Sequence, residues 1–311
     1  MIAAVVLNWN RRDDTLACLA SLEGQAGPDA VDRRVILVDN GSSDGTVDAV
    51  RAAFPAVEVI TLPENRGYAA GVNVGIRHAL AGGADWTLLV NNDTDAEPDT
   101  LGRLLAAAQD PTAGLITPTI YYYDDPSVVW PSAGWRRKLT LAAFDTTARP
   151  PSRHPYDVEW TTGCWLLVRR AVWESVGLFD ERFGVYFEDH DLCLRVRAAG
   201  WRILHVPGAT ARHRVAQSTG TGTPQQMYLL GRSSVKYYLK HTHGAHRALI
   251  AAYRLASLAR TLATTVAQGR PASGWAYVRG LGAGVRDVWQ ARRTGDGRSG
   301  ADRRPVQSPT A

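Results

Sequence analysis

Short apolar runs alternate with stretches of helical period through the first hundred residues. "IAAVVLN" (2–8), "RVILVDN" (34–40), "VEVITL" (57–62) and "DWTLLVNND" (85–93) each hold a compact hydrophobic run and read as strands. Between and after them, "DDTLACLASL" (13–22), "SDGTVDAVRAAF" (43–54), "AAGVNVGIRHAL" (69–80) and "PDTLGRLLAAAQ" (98–109) read as helices. Ser43 or Asp44 is available to cap the second helix, and Pro98 suits the first position of the fourth. Strand and helix alternating at this spacing predict βαβ units, hence an α/β fold with a mainly parallel central sheet flanked by helices.

The pattern changes at about residue 110. From there to about 160, aromatic and turn residues such as those of "TIYYYDDPSVVWPSAGW" predict an irregular segment with short strands. Two readings stand: a lid or acceptor wall, or aromatics packed beneath a long loop. Regular structure resumes with "CWLLVRR" as a strand, "RAVWESVG" as a helix, the acidic stretch "GVYFEDHDLCLRVRAAGW" (184–201) as another, and "WRILHVP" as a strand. After about residue 224 the texture is helical. In "ALIAAYRLASLARTLATTVAQ" (248–268), Ala251, Leu255, Leu258, Leu262 and Val266 share a stripe, with Arg260 opposite and Arg247 and Arg254 to one side. Such a stripe fits either a helix docked on the body or one lying on a membrane surface. The boundaries that follow are 1–230 for the main domain, with halves 1–110 and 111–230, then a basic helical extension at 231–292. The tail at 293–311, almost without apolar residues, is expected to be disordered.

Composition refines this picture. With 45% hydrophobic residues among 311, the chain can bury a large core. Cys18, Cys164 and Cys193 are odd in number and widely spaced, which excludes a disulfide framework or a zinc pattern. A reducing cytoplasm is expected. "MIAAVVLNWN" lacks a basic region and turns polar early, so it reads as no signal peptide. No run of 18 apolar residues predicts a membrane span. The net charge of +5 divides unevenly: residues 231–311 hold 14 Arg and Lys against three Asp, a balance of +11, which leaves −6 for the first 230. The basic part is suited to an anionic partner, either a membrane surface contacted peripherally through 245–290 or a phosphate-bearing substrate. No nucleic-acid partner is expected.

Candidate chemistry gathers at the strand ends, where open α/β sheets bind ligands. Asn8 and Asn10, Asp39 and Asn40, Asn65 and Arg66, then Asn91, Asn92 and Asp93 each follow a predicted strand. One polar residue there would be a turn residue; four successive ends point to a polar site. A second focus is "GVYFEDHDLCLRVRAAGW" (184–201), which sets Glu188, Asp189, His190 and Asp191 side by side. Acids do gather in first helical turns. Crowded carboxylates also raise one another's pKa values, which suits a general base.

Together these stretches resemble the family-two glycosyltransferases, inverting enzymes of the GT-A fold, from about residue 2 to about 240. "VVLNWN", "LVDNGSSDGT", "PENRGYAAGVNVGI", "LLVNND" and "GLFDERFGVYFEDHDLCLRVRAAGWRILHVPGATARH" stand in the family's order. The resemblance implies transfer of a sugar from a nucleotide-diphosphate donor to an acceptor hydroxyl in one in-line displacement. It makes Asp189 the base, with Glu188 and Asp191 orienting neighbours or contacting the acceptor. Asp39 would accept the imide N–H of uracil or thymine, while Trp9 is either a stacking partner for the base or a core residue. Asn8, Asn10, Asn65, Arg66, Gly71, Asn73 and Asn92 would line the nucleotide-sugar. Arg232 lies where relatives carry an arginine near the diphosphate, and equally reads as a helix surface charge. Asp93 and His213 would hold Mn²⁺ or Mg²⁺, the imidazole favouring Mn²⁺. Many relatives have Asp-x-Asp where this chain has Asn91-Asn92-Asp93, which leaves Asp95 optional and the metal weakly held. The aromatic segment and block spacing look most like the rhamnosyltransferase-like branch using a dTDP-deoxysugar, against a UDP-sugar. The acceptor would be a lipid-linked glycan, a polysaccharide or a small natural product, met in the cytoplasm or at the inner membrane face.

Two other classes remain at this point. A catalytically silent nucleotide-sugar scaffold would keep Asp39 but lose the base or the metal ligand; Asp189, Asp93 and His213 together speak against it. A dinucleotide-dependent oxidoreductase needs G-x-G-x-x-G after the first strand, where this chain has "NWNRRDD".

Overall fold

The computed structural model describes residues 1–25, 33–148, 150–215 and 220–293. The tail expected to be disordered lies, beyond Arg293, outside the described residues. Along the chain come β1 (Ile2–Asn8), α1 (Arg12–Glu23), β2 (Arg33–Asp39), α2 (Thr46–Ala53), β3 (Glu58–Thr61), α3 (Tyr68–Ala81), β4 (Trp86–Asn91), β5 (Thr94–Ala96) and α4 (Thr100–Ala107). There follow β6 (Ala113–Tyr122), β7 (Ala133–Arg136), β8 (Ala143–Asp145), β9 (Tyr156–Val158), β10 (Trp160–Thr161), β11 (Leu166–Arg169), α5 (Arg170–Val176), α6 (Glu188–Ala198) and β12 (Arg202–His213). Three helices, α7 (Pro224–His241), α8 (Gly244–Ala267) and α9 (Pro271–Arg293), complete the described chain.

The main sheet runs β3-β2-β1-β4-β11-β6-β12-β5, with β9 also on β12. β3, β2, β1 and β4 are mutually parallel, as are β6 and β12, whereas β11 and β5 run antiparallel to their neighbours. The chain leaves β1 for β2 and β3 on one side and returns to β4 on the other, so the strand order reverses at β1. An α/β sheet opens a ligand crevice at such a point.

Both sheet faces are covered, which is why the first strands read as unbroken apolar runs. Ala4 and Val6 of β1 pack with Leu19 and Leu22 of α1 and Leu104 of α4. Ala3 and Val5 face the other way, onto Val72 and Ile76 of α3 and the layer holding Trp173 and Leu192. Gly75 lets α3 come this close, since a Cβ there would stand 2.4 Å from Val5 Cγ1.

Several sequence expectations change. The middle segment contains β6, a ten-residue strand buried over its first eight positions. The second helix is preceded by Gly45 at φ 79°, although Asp44 Oδ1 does accept from the Thr46 N–H. Pro98 precedes the cap residue Asp99, outside α4. α7 runs across the expected boundary at residue 230. In α8 the inward side is Ile250, Arg254, Leu258 and Thr265, while Leu255 and Val266 are exposed, because Arg254 turns in to reach Ser234 Oγ and Tyr277 O–H at 2.7 Å each. Among the described residues no helix is long and apolar enough to cross a membrane.

Candidate active site

Parallel register sets Asn8 beside Asp39 at the ends of β1 and β2. Asn8 is fully buried. Its amide N–H₂ donates to Asp39 Oδ1 at 2.7 Å and Ser42 Oγ at 3.0 Å, and its oxygen accepts from Thr15 Oγ1 and Asn92 Nδ2. The Ser42 N–H donates to Asp39 Oδ2 at 3.1 Å. Asp39 is therefore held in one rotamer, with lone pairs left on both oxygens. After β1 the chain turns through Asn10 and Arg11, both left-handed at φ 57° and 67°, and this turn leaves Trp9 41% exposed, outside the core. Asn10 joins the same knot, its N–H donating to Ser42 Oγ at 2.7 Å. The loop after β3 is tied on by Asn40, which donates to Asn65 Oδ1 and accepts from the Arg66 N–H at 2.9 Å. The Asn65 and Arg66 side chains face solvent.

Across β1, the end of β4 leads into the short strand β5, which pairs with β12 so that His213 lies opposite Thr94. This brings His213 Nε2 to 3.1 Å from Asp93 Oδ1. His213 is buried, not a surface residue; Trp130 meets its ring edge-on at 4.7 Å, and its Nδ1 has no partner among the described residues. Asp95, on the opposite face of β5, is taken by Arg212 at 2.7 Å. Among the described residues no three His, Cys, Asp or Glu side chains are grouped to hold a metal.

The acid pair begins α6. Tyr186 and Phe187 before it are both left-handed, at φ 66° and 69°. Such backbone costs about 1–3 kcal/mol per residue. Packing of the Phe187 ring on Tyr237, 5.2 Å between centroids, and on His190 at 5.6 Å offsets part of that. The result is a first helical turn with Glu188 buried and Asp189 half-buried. Burial first, then the Asp189 charge, pushes Glu188 well above the usual carboxylate range, and its Oε2 has no partner among the described residues. Burial raises Asp189 to about 6, against the opposing pull of the His190 N–H and the Arg136 guanidinium. His190 is held neutral by burial and by Arg136, whose Nη2 donates to its Nδ1 at 3.1 Å.

Of the two expectations for Asp191, its surroundings favour orienting neighbours over contacting the acceptor. It is fully buried, and its carboxylate is met by Arg195 at 2.9 Å, His241 at 2.8 Å and Lys240 at 2.6 Å. Despite burial, those partners hold it below the usual carboxylate range. A side chain with no exposed surface cannot touch an acceptor, so Asp191 fastens α6 to α7 instead. Asn73 is likewise buried beneath the site, exchanging hydrogen bonds with the Phe179 backbone and donating to Glu181 Oε1. Gly71 permits a close approach, but of α3 to Leu7 and Asn40, at 2.7 and 3.1 Å from its would-be Cβ. Arg232 turns toward α9 and pairs with Asp287 at 2.7 Å, lining a cleft of about 530 Å³ with Arg182, Lys236 and Lys240.

Residues 163–165 bridge the two foci. Trp165 Nε1 donates to Thr94 Oγ1 at 3.1 Å beside Asp93, and Cys164 lies within electrostatic reach of Asp93. Tyr68 donates to the Gly163 carbonyl at 3.4 Å and lies within reach of Glu188 and Asp189. Sequence reading passed over Arg136, Thr15 and Ser42. Ser42 sits within the quoted motif "LVDNGSSDGT" and Thr15 in the helix that follows β1, whereas Arg136, in the irregular middle, carried no local signal.

A profile of the glycosyltransferase-like family 2 matches residues 1–228. Over 212 residues the chain is 36% identical to an N-acetylglucosaminyl-diphospho-decaprenol L-rhamnosyltransferase of Mycobacterium tuberculosis, an alignment covering 60% of this chain and 68% of that one. It is 24% identical over 190 residues to the dTDP-rhamnosyl transferase RfbF of Shigella flexneri, covering 60% and 61%. Among solved structures, the mannosyltransferase PcManGT from Pyrobaculum calidifontis in complex with GDP-Man and Mn²⁺ superposes with a TM-score of 0.58 at 19% identity, over 93% of this chain and 87% of that one. GalNAc-T7 with UDP, GalNAc and Mn²⁺ gives 0.58 at 12% identity, over 75% of this chain and 47% of its own length. At these identities the structural likeness establishes the GT-A fold.

Proposed function

The chain belongs to the glycosyltransferase-like family 2 and is a glycosyltransferase of GT-A fold, and from that premise we propose that it moves a deoxysugar, rhamnose foremost, from a dTDP donor to a hydroxyl of a lipid-linked acceptor. The donor reading is supported by two relatives named as rhamnosyltransferases, and the acceptor reading by the diphospho-decaprenol in the name of one of them. Contact of the basic C-terminal helices with a membrane belongs to the same reading.

One observation carries the chemistry: a carboxylate whose pKa burial has lifted to about 6, at the start of a helix reached through two left-handed residues. Near neutral pH Asp189 is mostly ionised yet basic enough to take a proton, the match general base catalysis asks for. Asp189 accepts the acceptor's hydroxyl proton while that oxygen forms its bond to the anomeric carbon. The bond from that carbon to the diphosphate breaks on the opposite face, with inversion. Burial, which raises Glu188 well above the usual carboxylate range, works against a second negative charge beside the nucleophile. Asp39, fixed by Asn8 and Ser42, receives a pyrimidine N–H, and exposed Trp9 offers a face to the base. Asn10, Asn65, Arg66 and Asn92 border the same crevice.

Asp93 and His213 fit a divalent cation. Ligands at about 2.1 Å from an octahedral ion stand about 3 Å apart when adjacent, and these two donor atoms are 3.1 Å apart. Mn²⁺ or Mg²⁺ held there would neutralise charge on the leaving diphosphate.

Replacing Asp189 with Asn tests the base. Transfer of rhamnose from dTDP-rhamnose should fall by about 10²–10⁴-fold, with dTDP affinity within twofold of the parent in titration calorimetry. Melting at pH 8 should be unchanged or higher, since an ionised, half-buried Asp189 opposes folding above its raised pKa. Full activity in this variant refutes the assignment.

A further inference from the structure

α9 is packed inside out. The side it turns to α7 is built of small residues with Tyr277 among them, and the backbones nearly touch: a Cβ on Gly280 would stand 2.1 Å from the Tyr228 carbonyl oxygen. Its largest apolar side chains face away from the protein. Trp275 is 66% exposed, Val285 55% and Trp289 57%. Residues 275, 278, 282, 285 and 289 recur at intervals of three and four, so both tryptophans of α9, with Val278 and Val285, fall on one stripe. Arg279, Arg286 and Arg293 form a second row beside it, seven residues apart. On α8, Leu255 and Val266 are also exposed, at 68% and 64%, among exposed alanines.

The charges on this hairpin are one-sided. Residues 244–293 hold eight Arg and one Asp, with no Lys or Glu. Arg254 and Arg247 are spent inward, on Tyr277 and Ser234 and on the Thr242 carbonyl. Asp287 is spent on Arg232 and Lys236. The other six arginines are exposed. Tryptophan and aliphatic side chains bordered by arginine are the composition of helices that lie in the interfacial plane of a bilayer.

We propose that the outer face of α8 and α9 docks on an anionic lipid bilayer. Trp275, Val285 and Trp289 enter the boundary between headgroups and acyl chains, and the arginine row meets lipid phosphates. The inference deepens the proposed reading and rests on it for its purpose, which is to hold the enzyme where a lipid-borne acceptor is embedded; the surface itself is read from its side chains. A second copy of the chain fits less well. A two-fold interface repeats the same patch on both partners, which here sets one arginine row against another with no acid between them.

The full chain, with no donor or acceptor present, is sedimented with vesicles of mixed phosphatidylcholine and phosphatidylglycerol and with vesicles of phosphatidylcholine alone. The two compositions are also prepared with brominated acyl chains, which quench inserted tryptophans. The expected result is partition onto the anionic vesicles with quenching, weakened by high salt. The double variants Trp275→Ser/Trp289→Ser and Arg279→Gln/Arg286→Gln should each lose at least about tenfold in partition while keeping the parent circular dichroism spectrum and melting temperature. Equal partition of parent and variants overturns the proposal. So does a parent that ignores vesicles but forms a dimer which the variants dissolve, since the face then serves a second copy. Vesicle binding without transfer to any lipid-linked acceptor leaves the docking surface standing and sinks the acceptor assignment. Undiminished transfer to lipid-linked acceptor by variants that no longer bind vesicles sinks the docking role alone.

Discussion

Arg136 is a buried guanidinium whose hydrogen bonds go to uncharged groups: the Tyr237 hydroxyl at 2.6 Å, His190, and the Glu159 backbone carbonyl. No carboxylate pairs with it among the described residues, and an unpaired buried charge is costly. The cost is tolerable where the charge serves a neighbour, and Arg136 pulls the Asp189 pKa down against burial. The groups around Asp189 are Glu188 and His190 on its own helix, Arg136 from β7, Tyr68 from α3 and Cys193 one turn on. Of these only Arg136 is a fixed cation. Arg136→Met should therefore raise the Asp189 pKa further, and since the base proposed there works ionised, activity should be lost from the acid side. The acid limb of the kcat/KM profile, expected near pH 6 in the parent, should move up by about one unit, with much smaller loss at pH 8.5. Arg136→Lys keeps the charge and should keep most of the limb's position. A loss independent of pH in Arg136→Met would make this arginine a packing residue only.

Among the elements, α7 and α9 pack by glycine. Would-be Cβ atoms on Gly231, Gly280 and Gly284 meet facing backbone at 2.5, 2.1 and 2.4 Å, whereas one on Gly282 meets nothing within 4 Å. Gly280→Ala should thus force the helices apart and cost about 1–3 kcal/mol. Gly282→Ala, on the open side of the same helix, should gain roughly 0.5–1 kcal/mol from helix propensity alone. Urea denaturation of both variants checks the pair, and a gain at both positions would mean the close approach is absent in solution. The same contrast explains what the chain reveals of itself before folding. β1 to β4 were legible because both their faces are covered, leaving compact apolar runs. β6 was not, because Gly114 and Pro118 argue against a strand; Pro118 is accommodated where the register of β12 slips between Val206 and Thr210. The acidic motif could be read from its own residues. What sets its chemistry, Arg136 more than fifty positions earlier and Tyr237 nearly fifty later, is brought in by tertiary packing and leaves no local pattern. Of the two readings the α8 stripe allowed, docking on the body through that stripe does not hold, for a related reason: Leu255 and Val266 are exposed. Periodicity locates an apolar face, but an arginine turned inward to a buried tyrosine decides which face docks.

At the scale of the molecule, two assemblies with different duties meet across residues 163–165. Strand ends on one side form a rigid hydrogen-bonded knot around Asp39, with Asp93 and His213 next to it. On the other side, α6 is fastened by Asp191 to α7 and by Asn73 through the loop after α5, so the acid pair is held by packing that involves none of the strand-end residues. Substitutions on the two sides should consequently fail in separable ways. Asp93→Ala should weaken dTDP binding about tenfold with Mn²⁺ present, the scale of a lost charge-assisted contact, and leave it unchanged in chelator. Asp189→Asn should do the reverse, leaving metal-dependent binding intact while the chemical step fails. In the double variant the two losses should add in free energy, since sites without shared partners behave independently. Calorimetric titration of dTDP with and without Mn²⁺, run beside single-turnover transfer, measures both arms. Equal weakening of dTDP by Asp93→Ala in chelator would remove the metal from this site, and strong coupling in the double variant would mean that the bridge at Cys164 carries more than proximity.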